Sequence, residues 1–369
     1  MLAIEKQPIP HYMAAPQTEA ELDYADLAII DLANAKKPHE RMELAARARD
    51  AMIKTGFFYV IGHGYTQEQA DRMVDIADVP FAQVSDDEKR VYAGTMKQTG
   101  SYQGYKLRNY WHIDGGVRDQ LENYNINRDV TKKTHPAALR PLLPEIYEFA
   151  RFNHFHVLHE VFRLLALGLE LPQDTFVNLH GYDAVGESYV RFMKYYPRSD
   201  EEEVKSKNVW LKGHTDFGTI TILWSQPVAA LQIFSSDGTW KWVKHIPNAL
   251  VINAGDALSF LTAGIFPATI HRVVQPPPDQ RQYTRLGAFY FSMTDDNVRL
   301  APLTNSPLVA RRLAELSAEK RAEIEKAPTM EEWRKGRTAA YGQTELRKSD
   351  AGSNVEEEII SGVVVKHYN

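Results

Sequence analysis

Short β-branched runs punctuated by turns, helical periodicity ahead of them and a His-x-Asp…His constellation within them predict a mixed α and β chain built around a double-sheet jelly roll or barrel. Gly213-His214-Thr215-Asp216-Phe217 reads as a strand, Gly218 as a turn, and Thr219-Ile220-Thr221-Ile222-Leu223-Trp224 as a second strand. Leu231-Gln232-Ile233 and Trp240-Lys241-Trp242-Val243 continue the series. Pro247-Asn248 and Gly255-Asp256 are turn pairs bracketing an apolar strand, and the run from Ala268 to Val274 ends the series around His271.

The other elements fall into order around this core. Residues 1–25 are polar and contain proline, and are expected to form an extended arm. Residues 26–150 make an N-terminal region with helices: Leu44, Ala45, Ala48, Ala51 and Met52 recur at helical spacing and predict a helix from His39 to Lys54. Ser85-Asp86-Asp87-Glu88 has the form of a capping box, a helix start rather than an acidic catalytic cluster. Residues 93–128 are irregular and rich in glycine and aromatics, among them Tyr102, Tyr105, Tyr110, Trp111 and His112. Residues 151–300 hold the strand-rich core, entered through a long apolar helix marked by Phe149, Phe152, Phe155, Val161, Phe162 and Leu165. His154, His156, His159 and Glu160 read as the opposite face of that helix rather than as metal ligands, and His63, His180 and His245 lack a partner motif. Residues 301–369 form a C-terminal helical segment and tail, with Thr329-Met330-Glu331-Glu332-Trp333 as a second capping box.

Two imidazoles and one carboxylate are the ligand set of a non-haem Fe(II) centre. On a strand, residues two apart share a face, so His214 and Asp216 aim into one cavity while Thr215 points away. His271 supplies the third ligand where the fold brings its strand alongside. Three ligands on one side of an octahedral metal leave the other side open to O2 and an organic co-substrate. Alone, His-x-Asp is a weak signal that any half-buried strand can carry; the surrounding series of strands gives it weight.

Composition narrows the function classes. A chain of 369 residues can bury a sizeable core. With 43 basic against 48 acidic residues, net charge −5, no broad basic field invites nucleic acid or an acidic membrane surface. The absence of cysteine excludes disulfides, thiolate metal sites and cysteine nucleophiles. No apolar stretch is long enough to span a bilayer and the opening residues lack a signal-peptide core, so the expected setting is the cytosol. The expected partner is a small-molecule substrate, with the oligomeric state open.

From about residue 26 to about residue 294 the chain resembles the Fe(II)- and 2-oxoglutarate-dependent oxygenases of the isopenicillin N synthase-like family. Beyond the ligands, the resemblance is carried in order by 28–32, by 54–64 with Gly62-His63-Gly64 where the family has Asn-His-Gly, by Tyr195-Tyr196-Pro197, by Asn253-Ala254-Gly255-Asp256 and by 285–291. It implies a distorted double-stranded β-helix, the cupin-like jelly roll, flanked by helices. It further implies Fe(II) held by His214, Asp216 and His271, 2-oxoglutarate as co-substrate, O2 as oxidant and ascorbate as a stimulant.

The family places an arginine after the second histidine to anchor the distal carboxylate of 2-oxoglutarate, since a guanidinium is a planar, permanently charged fork. Arg281 lies at the commonest spacing, but Arg285 is better placed relative to Phe289-Tyr290-Phe291 and is the expected anchor. The usual Arg-x-Ser becomes Arg285-Leu286-Gly287, which removes a hydroxyl hydrogen bond worth about 1 kcal/mol. The family's Asn-x-Tyr corresponds to Lys194-Tyr195-Tyr196, so Lys194 and Tyr196 are expected beside the co-substrate, with Phe192 on the same strand face. Tyr102, Trp111, Phe192 and Phe217 are candidate walls of the substrate pocket.

The resemblance implies oxidation of an unactivated C–H bond of a small organic molecule, by hydroxylation, desaturation or rearrangement, with release of succinate and CO2. Similar Arg-Leu-Gly and Tyr-Phe patterns in fungal tailoring enzymes suggest specialised metabolism. Two alternatives stay open: an Fe(II) oxidase of the same fold that does not use 2-oxoglutarate, kept alive by Gly287 and Lys194, and a non-catalytic metal-binding jelly roll. In the resembling family a C-terminal helical segment often serves as a lid.

Overall fold

The computed structural model describes residues 6–340, 347–348, 355–360 and 363–368. In chain order the strands are β1 (Ile29–Asp31), β2 (Phe57–Ile61), β3 (Gly104–Lys106), β4 (Leu121–Asn127), β5 (Tyr189–Tyr195), β6 (Val209–His214), β7 (Ile220–Trp224), β8 (Leu231–Phe234), β9 (Trp240–Trp242), β10 (Leu250–Ala254), β11 (His271–Val274), β12 (Arg285–Phe291), β13 (Arg347–Lys348), β14 (Val355–Ile360) and β15 (Val363–Tyr368). They form an eight-stranded sheet, β1-β2-β10-β7-β12-β5-β4-β3, and a seven-stranded sheet, β13-β14-β15-β6-β11-β8-β9. This is the expected double-stranded β-helix. Its two sheets face one another across an apolar core in which Phe57, Tyr59, Leu121, Met193, Tyr195, Leu223 and Val251 meet Trp210, Leu231, Ile233 and Val273.

The larger sheet is buried on both faces. Its outer residues, including Phe58, Val60, Tyr124, Val190, Phe192, Ile222, Ile252, Ala288 and Tyr290, pack under a layer of helices. The first of these runs Pro38–Thr55, one residue beyond the expected span at each end, and stops at Gly56, whose φ of 65° is the left-handed helix end that glycine favours. A second helix, Gln67–Ala82, opens on a full capping box at Thr66 and Gln69. At Ser85 only half the expected box forms: Ser85 accepts from Glu88 N, while the Glu88 carboxylate accepts from Ala137 N at 2.8 Å. At Thr329 both halves are present, and the helix Met330–Ala340 follows.

The apolar helix is one continuous segment, 143–168, with a π-helical turn at Asn153–Leu158. Asn153 explains the bulge: its Nδ2 donates to Phe149 O at 2.8 Å and its Oδ1 accepts from Trp224 Nε1 at 3.0 Å, which widens the backbone ladder around the side chain. His156 is exposed as expected, but His154 is not on the outer face. It is fully buried, accepting from Tyr290 Oη at 2.9 Å and donating to His180 O at 3.0 Å. The widened turn rotates this residue into the core, which a uniform 3.6-residue period does not anticipate. Residues 6–23 of the N-terminal arm carry no regular structure apart from a bend, and Tyr12 and Glu19 tie them down through Asp75 and Asp279. Residues 1–5 lie outside the described residues.

Burial pushes His154 and His180 down to about 3, so both stay neutral in the folded chain. Unfolded, each would titrate near its usual value of about 6.5. Between those limits the unfolded chain binds protons that the folded chain does not, so stability that is full above about pH 6.5 drains away as pH falls. The urea midpoint should therefore drop between pH 8 and pH 5, and the drop should be shallower in His154→Gln. Parallel slopes for the two proteins would show that His154 carries no such linkage.

Candidate active site

β6 and β11 run antiparallel with His214 directly opposite His271, the last and first residues of their strands. Asp216 lies just past the end of β6 rather than within a strand, so loop hydrogen bonds and not the pleat set its direction. Its carbonyl accepts from Asp256 N at 2.7 Å, and Gly218 O accepts from Ala257 N at 3.0 Å. Gly255 lets these backbones meet: a Cβ there would collide with the carbonyl oxygens of Gly218 and Asp216. One ligand atom from each of His214, Asp216 and His271 lies within 4.8 Å of the others, and no other such group occurs among the described residues.

The neighbours of the triad prepare it to bind a cation. His214 Nδ1 donates to Lys212 O at 2.8 Å and His271 Nδ1 to Thr269 O at 3.1 Å, and the two Nε2 atoms lie 4.0 and 3.8 Å from the Asp216 carboxylate oxygens. Phe57 meets the His271 ring edge-on at 5.6 Å between centroids. Asp216 Oδ2 accepts from Thr221 Oγ1 at 2.7 Å and Asn253 Nδ2 at 2.8 Å. Burial pushes this carboxyl up, but His271, His214 and the two hydrogen bonds outweigh it and hold it below the usual carboxylate range. Two imidazoles and an ionised carboxylate on one side of a cavity fit a first-row divalent metal such as Fe(II).

The structure separates the other expected residues. On β12, Arg285 is 2% exposed and faces the space between the sheets, opposite Tyr195, with its Cζ 5.4 Å from that ring. Its Nε has no hydrogen-bond partner, and no carboxylate among the described residues pairs with its guanidinium. Arg281 is exposed. Lys194, Tyr196 and Phe192 are not at the cavity. Lys194 Nζ pairs with Asp78 at 2.6 Å on the helix side of the sheet, Tyr196 Oη donates to Glu122 at 3.3 Å, and Phe192 belongs to the outer core. The inward residues of β5 are Arg191, Met193 and Tyr195; a register shift of one residue turns every side chain of a strand over. Tyr195 was the missed residue, and it lies within electrostatic reach of both Arg285 and Asp216. At Gly287 a Cβ would come 2.8 Å from the Phe289 ring, so the phenyl group leans over the place where the family's serine would stand.

Phe217 and Tyr102 stack at 5.5 Å beside Asp216, and Tyr102 stacks in turn on Tyr189 at 6.0 Å. Trp111 packs against the core between the sheets, with Lys106 Nζ 4.2 Å above its ring. His63 bonds Asn248 O and His245 bonds Ser225 Oγ, both away from the triad.

Comparisons with known proteins agree with this geometry. Residues 187–293 match the 2OG-Fe(II) oxygenase superfamily, and residues 27–145 match the non-haem dioxygenase in morphine synthesis N-terminal family. UPF0676 protein C1494.01 of Schizosaccharomyces pombe is 30% identical over 69% of this chain and 78% of its own length. Gibberellin 2-beta-dioxygenase 4 of Arabidopsis thaliana is 27% identical over 76% of this chain and 83% of its own length. The 2-oxoglutarate-Fe(II) type oxidoreductase hxnY of Emericella nidulans is 25% identical over 70% of this chain and 76% of its own length. Among solved structures, a full-length Neurospora crassa protein in complex with alpha-KG superposes with a TM-score of 0.72 at 19% identity, covering 88% of this chain and all of its own. With two imidazoles and a carboxylate gathered at the mouth of a double-stranded β-helix, and with these relatives, the chain belongs to the 2OG-Fe(II) oxygenase superfamily.

Proposed function

We propose that this dioxygenase oxidises an unactivated C–H bond of a small organic molecule, with His214, Asp216 and His271 holding Fe(II) and Arg285 holding the distal carboxylate of 2-oxoglutarate. The observation that carries the assignment is the buried Arg285 fork, which faces the cavity without a carboxylate among the described residues. Burial lowers its pKa, the sign of a charge kept from water, and an anionic ligand would relieve that cost. Bound together, Fe(II) and 2-oxoglutarate would supply an O2-derived oxidant, with succinate and CO2 as co-products.

The chain's own groups hold and shield that chemistry. Thr221 and Asn253 fix the Asp216 carboxylate against rotation, and the Nδ1–H bonds of His214 and His271 fix the imidazole tautomers. Tyr195, rather than Tyr196, is positioned beside Arg285 to meet the co-substrate. Phe217 and Tyr102 cover the flank of the triad and exclude water. Lys194 no longer favours an oxidase that dispenses with 2-oxoglutarate, since Asp78 holds it outside the barrel. Relatives named flavonol synthase/flavanone 3-hydroxylase and jasmonate-induced oxygenase support a place in specialised metabolism. We propose a cytosolic setting; no helix among the described residues is long and apolar enough to cross a membrane.

His271→Ala should abolish Fe(II)-dependent succinate release while leaving the circular dichroism spectrum unchanged; undiminished turnover would sink the assignment of the metal site. Arg285→Ala should raise the KM for 2-oxoglutarate by about 10- to 100-fold, the range for hydrogen bonds to a charged group. Arg281→Ala should change it less than about 2-fold, and the reverse ranking would move the anchor to Arg281. For Asn253→Ala, retention of Fe(II) in competition with a chelator should weaken by about 10- to 100-fold, as for other partners of metal ligands.

A further inference from the structure

Phe289 is partly exposed although its strand, β12, is flanked on both sides by β5 and β7. Its outward neighbours Ala288 and Tyr290 are buried under the helices, so the accessible part of the ring faces the space between the sheets. There it follows Arg285 and Gly287 on one strand face and leads on to Phe291, whose ring stacks on it at 5.7 Å. Phe291 in turn lies opposite Thr221, whose hydroxyl bonds Asp216. One face of β12 thus runs from the guanidinium to the metal site, and the reaction proposed above gives the ring between them no role.

Gly287 and Phe289 are fitted to one another. A Cβ at 287 would stand 2.8 Å from Phe289 Cε2 and 3.2 Å from Cζ, so the far end of the ring reaches back along the strand in the direction of Arg285. The backbone does not require glycine here: Gly287 lies within a regular strand opposite Met193 and is not one of the positive-φ glycines. The ring requires it. A serine at 287 would need a smaller residue at 289, and this phenylalanine needs a neighbour without a side chain, because a packed interior has no room for both. The Arg-Leu-Gly pattern is therefore one half of a two-residue exchange whose other half is Phe289.

We infer that Gly287 and Phe289 act as a pair in the co-substrate site, the phenyl ring forming an apolar wall for the aliphatic carbons of 2-oxoglutarate in place of a hydroxyl that would bond its distal carboxylate. The carboxylate is then left to the Arg285 fork, and the methylene groups beside it gain an apolar neighbour that shields them from water. Gly287 is accordingly no mark of an oxidase that dispenses with 2-oxoglutarate. This inference rests on the oxygenase reading above, because it takes Arg285 as the anchor. The ring binds and orients, and takes no part in the oxidation itself.

The test titrates 2-oxoglutarate into the full chain with Fe(II) under anaerobic conditions and reads Kd from the charge-transfer absorption, with Tm measured separately in the absence of 2-oxoglutarate. Phe289→Ala should raise Kd by about 4- to 15-fold, the worth of one or two buried methylene groups, and Phe289→Leu should keep most of the native affinity. Gly287→Ser alone should raise Kd by about 5-fold or more, because the added atoms displace the ring. Gly287→Ser combined with Phe289→Ala should return Kd to within about 3-fold of the native value, since the hydroxyl then has room to bond the carboxylate, a gain of about 10-fold. A double variant whose Kd is the product of the two single effects overturns the inference, as does a Gly287→Ser protein with native Kd. Phe289→Ala that lowers Tm and leaves Kd unchanged also overturns it, marking the ring as packing alone. If the double variant fails to fold, Phe289→Ala and Phe289→Leu decide the matter, and equal losses of affinity overturn the inference. A native band with any of these adverse results leaves the oxygenase reading standing. No band and no 2-oxoglutarate-dependent turnover in the native chain defeats that reading first, and this inference with it.

Discussion

Everything at the metal site depends on one close backbone approach, that of residues 216–219 to residues 255–257. Asp256 N, Gly255 N and Ala257 N donate to Asp216 O, Thr219 O and Gly218 O at 2.7, 2.8 and 3.0 Å, so the segment leaving β6 is clamped before it can continue as a strand. That clamp brings the Asp216 carboxylate round to face both imidazoles, where a straight strand would have left its direction to the pleat. A side chain at position 255 would force the two backbones apart and turn the carboxylate out of the triad. Asn253, one residue before β10 ends, reaches the same carboxylate from the far side. The motif Asn253-Ala254-Gly255-Asp256 therefore works as a unit: an amide for the ligand, a gap for the crossing, and a backbone N–H for the loop.

The interior around that site is electrostatically divided. Lys106 and Asp119 cancel one another at 2.5 Å, and burial still pushes the Lys106 ammonium down to about 8. Arg285 has no such partner among the described residues. In a dry barrel these charges act strongly at short range, so each cation biases the part of the cavity it faces.

How much of this was legible in the sequence varied with how many constraints each stretch carried. His214, Asp216 and His271 could be read because they sit in a series of strands whose order is itself diagnostic. The helix from 38 to 55 could be read because one face is apolar and the other is not. Residues 190–196 could not, for a physical reason. β5 is buried on both faces, so Val190, Phe192, Met193 and Tyr195 leave no clean alternation, and the Tyr195-Tyr196 pair fits either parity. The pairing of Arg285 with Tyr195 resolves the parity, and that is a fact of register between strands about 90 residues apart. Similarly, His154 looked like a residue of the exposed face because a π-turn is set by Asn153 and Trp224 together, a contact with no local sequence signature.

The C-terminal helix shows the same reasoning at larger scale. A mobile lid would touch the barrel mouth through replaceable surface contacts, but Met330, Trp333 and Thr338 are fully buried and Arg334 nearly so. Trp333 Nε1 donates to Phe217 O at 3.1 Å, while Arg337 reaches both Asp256 at 3.1 Å and Thr215 O at 3.3 Å. Those contacts land on the residues flanking Asp216 and on the first turn of the helix whose backbone clamps it. Burial pushes the Asp256 carboxyl up, and Arg337 works against that, so the pair is held together by the same exclusion of water that shields the triad. The helix is thus a wedge behind the ligand loop. Through β15, where Tyr368 pairs with Gly213, the chain returns to the other side of His214 as well. Residues more than a hundred positions downstream of the motif therefore brace the geometry on which the metal site depends.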